Sequence, residues 1–248
     1  NIGYMNPVAF GFDSVAPTGT VKFKKAIYDS TSATVEISYS DATSKVTQMK
    51  LDGDITATDW ENVANTRSIV LSSGDGIKAV KIKFRDGAGN ESDWIEGTTT
   101  AELDTSKPSA EISLYKEDGQ TIKPQVSAEA KTVVKISYTD TDDIGGVEYK
   151  LYGDFEESSE EWVTFTPDTG YSTKSITVTA TAPTINEKVA RYFRLVIRDN
   201  AGNESTEAAA CFYLDPTEPT VEVANLDHTR ISKVNAYRNC IIEAHTKG

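Results

Sequence analysis

The sequence predicts an all-β chain built as tandem antiparallel β-sandwiches, and three observations predict it. Apolar and polar residues alternate in short runs, as in Thr34–Ser40, where Val35, Ile37 and Tyr39 share one face. Turn signals interrupt these runs at Asp52-Gly53, Asp75-Gly76, Asp86-Gly87, Asp118-Gly119 and Gly145-Gly146. A block of roughly one hundred residues occurs twice in the 248-residue chain, and a repeat of that length is a domain.

The repeat can be followed from element to element. Pro17-Thr-Gly-Thr-Val matches Pro108-Ser-Ala-Glu-Ile at an offset of 91 residues. ISYSD (37–41) matches ISYTD (136–140) at 99, and VTQMKLDGD (46–54) matches GVEYKLYGD at 100. Trp60 matches Trp162 at 102, and RDGAGNES (85–92) matches RDNAGNES (198–205) at 113, with seven of eight positions identical. Order is kept while the offset grows, so the second copy is the same unit with insertions. These fall in 114–125 and between Trp162 and Arg191, both rich in loop-forming residues.

The strands follow in the same order. Val80, Ile82 and Phe84 share one face of their run, as do Phe193, Leu195 and Ile197, and Ile176 and Val178. Val and Ile alternating with Thr, Ser and Lys suit half-buried antiparallel strands, and no segment sustains a helical period. Roughly seven short strands per copy is the pattern of an immunoglobulin-like sandwich. The expected division is 13–104 for the first domain and 105–215 for the second. Residues 1–12 read as the end of a preceding unit or a linker. A third, incomplete unit is expected over 216–248, because DPTEPTVEV (215–223) resembles DTSKPSAEI (104–112) and DSVAPTGTV (13–21).

The sequence DSVAPTGTV, then ISYSD, VTQMKLDGD, Trp60 and LSSGDGIKAVKIKFRDGAGNES (71–92) resembles the tandem Ig-like or fibronectin-III-like repeats of bacterial surface proteins, secreted polysaccharide enzymes and phage tail proteins. The likeness spans about 200 residues. It implies the fold, with an Asp-x-x-x-Pro linker opening each domain and an Asp-x-Ala-Gly-Asn-x-Ser block closing it. The second copy departs from the pattern at TPDTGYSTKS (166–175), where the first has a Ser-Gly-Asp-Gly turn.

Composition narrows the function. Charged residues are 25% of the chain, and 38 Asp and Glu against 25 Lys and Arg give a net charge of −13. That disfavours nucleic acid as a partner, since phosphate binding needs concentrated positive charge. The longest apolar run, Ala208–Leu214, is too short to insert in a membrane as a helix. Only two histidines occur, His228 and His245, a poor inventory for acid–base catalysis. The two cysteines, Cys211 and Cys240, fall in different units and are expected to be free thiols, Cys211 as a small buried hydrophobe.

Several residues are candidates for a site. Asp86, Gly89 and Asn90, with Asp199, Gly202 and Asn203, read as strand-to-strand corners, the Asp accepting backbone N–H groups. Asn90-Glu-Ser and Asn203-Glu-Ser also fit the glycosylation acceptor pattern. Trp60 and Trp162 are expected to lie buried or half-buried against the core, with a sugar-stacking platform as the alternative. Trp94 lacks a counterpart and is the expected exposed, ligand-docking aromatic. Asp140, Asp142 and Asp143 crowd a Gly-bounded loop and supply part of the oxygen set that calcium requires, the alternative being a solvated acidic turn. No other cofactor is indicated. Glu156, Glu157, Glu160 and Glu161 read as a solvated acidic loop rather than a catalytic carboxylate pair.

The function expected is that of a non-catalytic, structural or adhesive segment of a large extracellular or virion protein: a phage tail, baseplate or fibre, or a bacterial surface protein. Its domains are rigid blocks, and Pro108, Pro216 and Pro219 stiffen the joints. Expected partners are other subunits of the assembly, or a host-surface glycan or receptor docked on edges and loops. The alternative is an accessory module of a secreted polysaccharide-degrading enzyme.

Overall fold

The computed structural model describes residues 11–122, 126–127, 130–140, 146–168, 172–183, 188–215, 221–222 and 245–246. It is all-β. The first domain contains β1 (Thr18–Phe23), β2 (Ile27–Tyr28), β3 (Ser32–Ser40), β4 (Val46–Gly53), β5 (Glu61–Asn62), β6 (Thr66–Val70), β7 (Gly76–Lys78), β8 (Val80–Asp86), β9 (Ile95–Glu96) and β10 (Ala101–Leu103). The second contains β11 (Ser109–Tyr115), β12 (Val126–Ser127), β13 (Lys131–Thr139), β14 (Glu148–Gly153), β15 (Val163–Thr164), β16 (Thr173–Thr179), β17 (Val189–Arg198) and β18 (Ala208–Leu214). Beyond these, the described residues include an antiparallel pair, β19 (Val221–Glu222) with β20 (His245–Thr246). Cys240 lies outside the described residues.

Each domain is a two-sheet sandwich. One sheet is β1-β3-β6 in the first domain and β11-β13-β16 in the second. The facing sheet of the second domain runs β12-β18-β17-β14-β15. The first domain has the same sheet in two parts, β5-β4-β8-β9 and β2-β10-β7, because the strand equivalent to β17 breaks at Ala79. In both, a short early strand joins the last strand in parallel, β2 with β10 and β12 with β18.

Alternation places the core. Val80, Ile82 and Phe84 point inward from β8, and Phe193, Leu195 and Ile197 from β17. Val21, Val35, Met49 and Leu51 complete the first core; Val134, Ile136, Phe212 and Leu214 are among those that complete the second. Each fully buried side chain of this size contributes about 1.5–3 kcal/mol. The fillings differ. Phe155, Phe193 and Phe212 stack in the second domain, with centroids 5.4 and 5.9 Å apart. Strand register puts Ile55, Val80 and Ala101 at the same places in the first.

One repeated turn shows why the sequence recurs. Gly53 and Gly153 have φ of 118° and 138°, where side chains are strained. The following aspartates cap the neighbouring strand: Asp54 N donates to Ala79 O, and Ala79 N donates to Asp54 Oδ2. Asp154 and Tyr192 make the same exchange. A Cβ at position 153 would sit 2.1 Å from the Tyr192 carbonyl oxygen. Gly153→Ala is therefore expected to destabilise the second domain by ~1–3 kcal/mol. Calorimetry would register this as a fall of roughly 4 °C or more in that domain's transition, with the first domain's unchanged.

Candidate functional site

The two closing blocks form the same corner. Asp86 is 2% exposed, and its Oδ1 accepts the N–H groups of Ala88, Gly89 and Asn90 at 2.9, 2.7 and 2.8 Å. Asp199 Oδ1 accepts those of Gly202 and Asn203, both at 2.8 Å. Gly89 and Gly202 take φ of 95° and 110°, which turns the amides toward the carboxylate. Ser92 and Ser205 end the corner: their Oγ atoms accept Phe84 N and Ile197 N, both at 3.0 Å. Burial alone would raise the Asp86 carboxyl, but the donors from Asn90, Gly89 and Ala88 outweigh it and hold it below the ordinary carboxylate value.

The asparagine carries the corner beyond its own turn. Asn90 Nδ2 donates to Asp86 Oδ2 at 2.8 Å and to the backbone carbonyl of Asp13 at 3.1 Å. Asn203 Nδ2 donates to Asp199 Oδ2 at 2.9 Å and to the carbonyl of Asp104 at 3.0 Å. Asp13 and Asp104 are the first residues of the two Asp-x-x-x-Pro segments, and Pro17 and Pro108 are both buried. Each closing corner thus grips the chain where it enters its own domain. The asparagine nitrogens that a glycan would occupy are committed to these bonds, which argues against the glycosylation reading.

Asp104 also belongs to the joint between the domains. Its N–H donates to Tyr28 O in the first domain, while its carbonyl accepts Asn203 in the second. Thr105 Oγ1 and Ser106 Oγ donate to the two carboxylate oxygens of Asp75 at 2.8 and 3.0 Å. The Thr105 hydroxyl, against some opposing burial, holds the Asp75 carboxyl below its usual value. Thr105 and Ser106 therefore connect the linker to the Gly-Asp-Gly turn of the first domain.

The tryptophans depart from the expectation. Trp60 and Trp162 are half-buried, but on the outer face of the sheet rather than against the core. The outward-facing residues of β8 are Lys81, Lys83 and Arg85, and those of β4, β14 and β17 include Lys50, Lys150, Arg194 and Arg198. Arg85 stacks on Trp60 at 4.1 Å, with Lys50 at 4.9 Å from the same ring. Arg198 and Lys150 flank Trp162 at 4.1 and 4.2 Å. Trp94 is 37% exposed and extends the stack in the first domain, with Lys50 and Lys81 at 5.3 and 5.1 Å. Alternation places the cations on this outer face; the tryptophans lie outside the strands, so alternation does not show that they stack there.

Glu91 completes this face. Lys83 and then Arg85 hold its carboxyl at about 2, well below its ordinary value. Asp142 and Asp143 lie outside the described residues; Asp140 is half-buried at the end of β13. Glu157 and Glu161 are exposed at the rim of a cavity of about 260 Å³ beside Tyr149 and Phe155. Cys211 is a free, half-buried thiol.

The structure assembles a carboxylate group that sequence reasoning did not. Oxygens of Asp13, Asp41 and Asp86 lie within 4.8 Å of one another. The signal was present in the repeat, since Asp104, Asp140 and Asp199 stand at the matching positions. Among the described residues, those three are not drawn as close together.

No protein-family model matches the chain, and no curated protein matches its sequence. Among solved structures, the fibronectin(III)-like modules of Clostridium thermocellum CbhA align over 79% of this chain and 94% of theirs, at 11% identity and a TM-score of 0.42. The D00-D0 domain of intimin aligns over 79% of this chain and 99% of its own, at 9% identity and a TM-score of 0.31. The class defined by the strand order above is the tandem Ig-like, fibronectin-III-like β-sandwich.

Asp86→Ala leaves three N–H groups without their acceptor and is expected to cost ~2–4 kcal/mol in urea denaturation of the first domain. The depressed Glu91 carboxyl stabilises the folded state above pH 4.5, and that contribution is lost as pH falls through about 2. A carbon-detected NMR titration should find its midpoint near 2, and Lys83→Met should move it upward.

Proposed function

We propose that the chain is a non-catalytic spacer from a larger extracellular or virion assembly, a fibre, tail or bacterial surface protein, whose domains are held at a fixed angle. The observation that carries this reading is Asp104. One linker residue is hydrogen-bonded to the first domain through its N–H and to the second through its carbonyl. The Asp75 contacts to Thr105 and Ser106 support it. A linker of five residues with both ends secured transmits orientation, whereas a free Gly/Ser linker does not.

Docking of neighbouring subunits on the sheet edges and loops fits the same reading. Tyr192, Tyr213 and Val163 are exposed at 49%, 42% and 46%. Protein partners suit this surface better than sugars, because cations lie close to the tryptophan rings. Among the described residues, the carboxylates with lowered values, Asp52, Asp75, Asp86, Glu91 and Glu207, are engaged in ion pairs, turns or hydrogen bonds, which supports a non-catalytic role.

Residual dipolar couplings test the spacer. One alignment tensor should fit both domains of the wild type, and Asp75→Ala should separate the tensors while changing domain stability by less than ~0.5 kcal/mol. Wild-type domains with tensors of clearly different magnitude would sink the proposal.

A further inference from the structure

We propose that Asp13, Asp41 and Asp86, with the hydroxyl of Ser44, form a low-affinity calcium site at the entry end of the first domain. The three carboxylates come from the linker, the β3–β4 loop and the closing corner, and an oxygen of each lies within 4.8 Å of the others. Two oxygens bound to one calcium ion at 2.3–2.6 Å can be at most ~5 Å apart, so this spacing fits a shared ion. Magnesium, at 2.0–2.1 Å, demands a tighter octahedron.

An independent observation points to a ligand here. Asp13 Oδ2, Asp41 Oδ2 and Ser44 Oγ are each buried to under 1 Å² of exposed surface, and no protein group bonds to them. Their partner oxygens are occupied: Asp13 Oδ1 accepts Val15 N, and Asp41 Oδ1 accepts Thr43 N and Ser44 N. Those bonds fix the carboxylates and leave the second oxygens unengaged. Asp86 Oδ2 accepts one bond, from Asn90, and keeps a lone pair. Buried carboxylate oxygens without donors are costly. A cation at their centre would satisfy all of them at once, with water completing the six to eight ligands.

The site coincides with the linker grip. Asp13 carries both a carboxylate of the group and the carbonyl held by Asn90. Calcium would therefore tie the entering chain to the corner and to the β3–β4 loop. Three acidic ligands, one hydroxyl and several waters place the affinity in the range of extracellular modules, about 10⁻⁴–10⁻³ M.

The test is an amide NMR titration of the whole chain, stripped of metal, with calcium chloride up to about 10 mM, tenfold above the weak end of that range. Saturable shifts are expected at 13–15, 41–44 and 86–90, with magnesium chloride failing to reproduce them. Asp41→Asn keeps the Oδ1 acceptor and the loop while removing the charge, and should weaken binding at least tenfold. Asp140→Asn should leave these shifts intact. Manganese, a paramagnetic ion that favours oxygen ligands, should broaden the same amides in the wild type without any variant. The proposal is overturned if those amides do not respond, if Asp41→Asn binds as the wild type does, or if the broadening centres instead on the glutamates at 156–161.

Discussion

A buried carboxylate closing a glycine turn is the interaction on which the rest of the molecule depends. Asp86 and Asp199 gather the amides that a tight strand-to-strand corner would otherwise leave without acceptors. A buried amide without a partner costs as much as a lost hydrogen bond. The same carboxylates orient Asn90 and Asn203 toward the backbone of the entering linker. Local turn chemistry and long-range domain geometry are therefore one network. Its weakening would open the turn and free the joint together.

The two domains pack differently but share their turn motifs. A stack of Phe155, Phe193 and Phe212 stands where the first domain has Ile55, Val80 and Ala101. The Gly-Asp turn, the Asp-Asn corner and the Lys-Trp-Arg stack recur in both domains. Geometry explains the contrast: an apolar contact has many equivalent fillings, whereas a backbone N–H in a tight turn accepts few substitutes. The outer stack also covers the indole with long cationic stems, which shields aromatic surface on a chain with an excess of acidic residues.

Strands, repeat and corners were legible because each is written in adjacent residues. Period-2 alternation in Thr34–Ser40 and Val80–Arg85 marks the core faces, and Asp-x-Ala-Gly-Asn spells a turn within five residues. What stayed hidden joins distant positions. The Asn90–Asp13 and Asn203–Asp104 bonds span 77 and 99 residues and leave no local pattern. The expectation for Trp60 and Trp162 placed them against the core, because hydrophobic size argues for burial, while the structure half-buries them against Lys50 and Arg85 and against Lys150 and Arg198. The aspartates at 140–143 suggest a calcium loop through proximity in sequence alone. Asp13, Asp41 and Asp86 meet only through the fold.

Native-state hydrogen exchange tests the central claim most directly, that corner and linker are one network. The account predicts that the amides of Gly202 and Asn203 and the amide of Asp104, which donates to Tyr28 O, are all protected. It also predicts that removing the Asp199 carboxylate raises the exchange rate of Asp104 together with those of the corner. Exchange of Asp104 at the rate of a free loop, or a response of the corner that leaves Asp104 untouched, would contradict it.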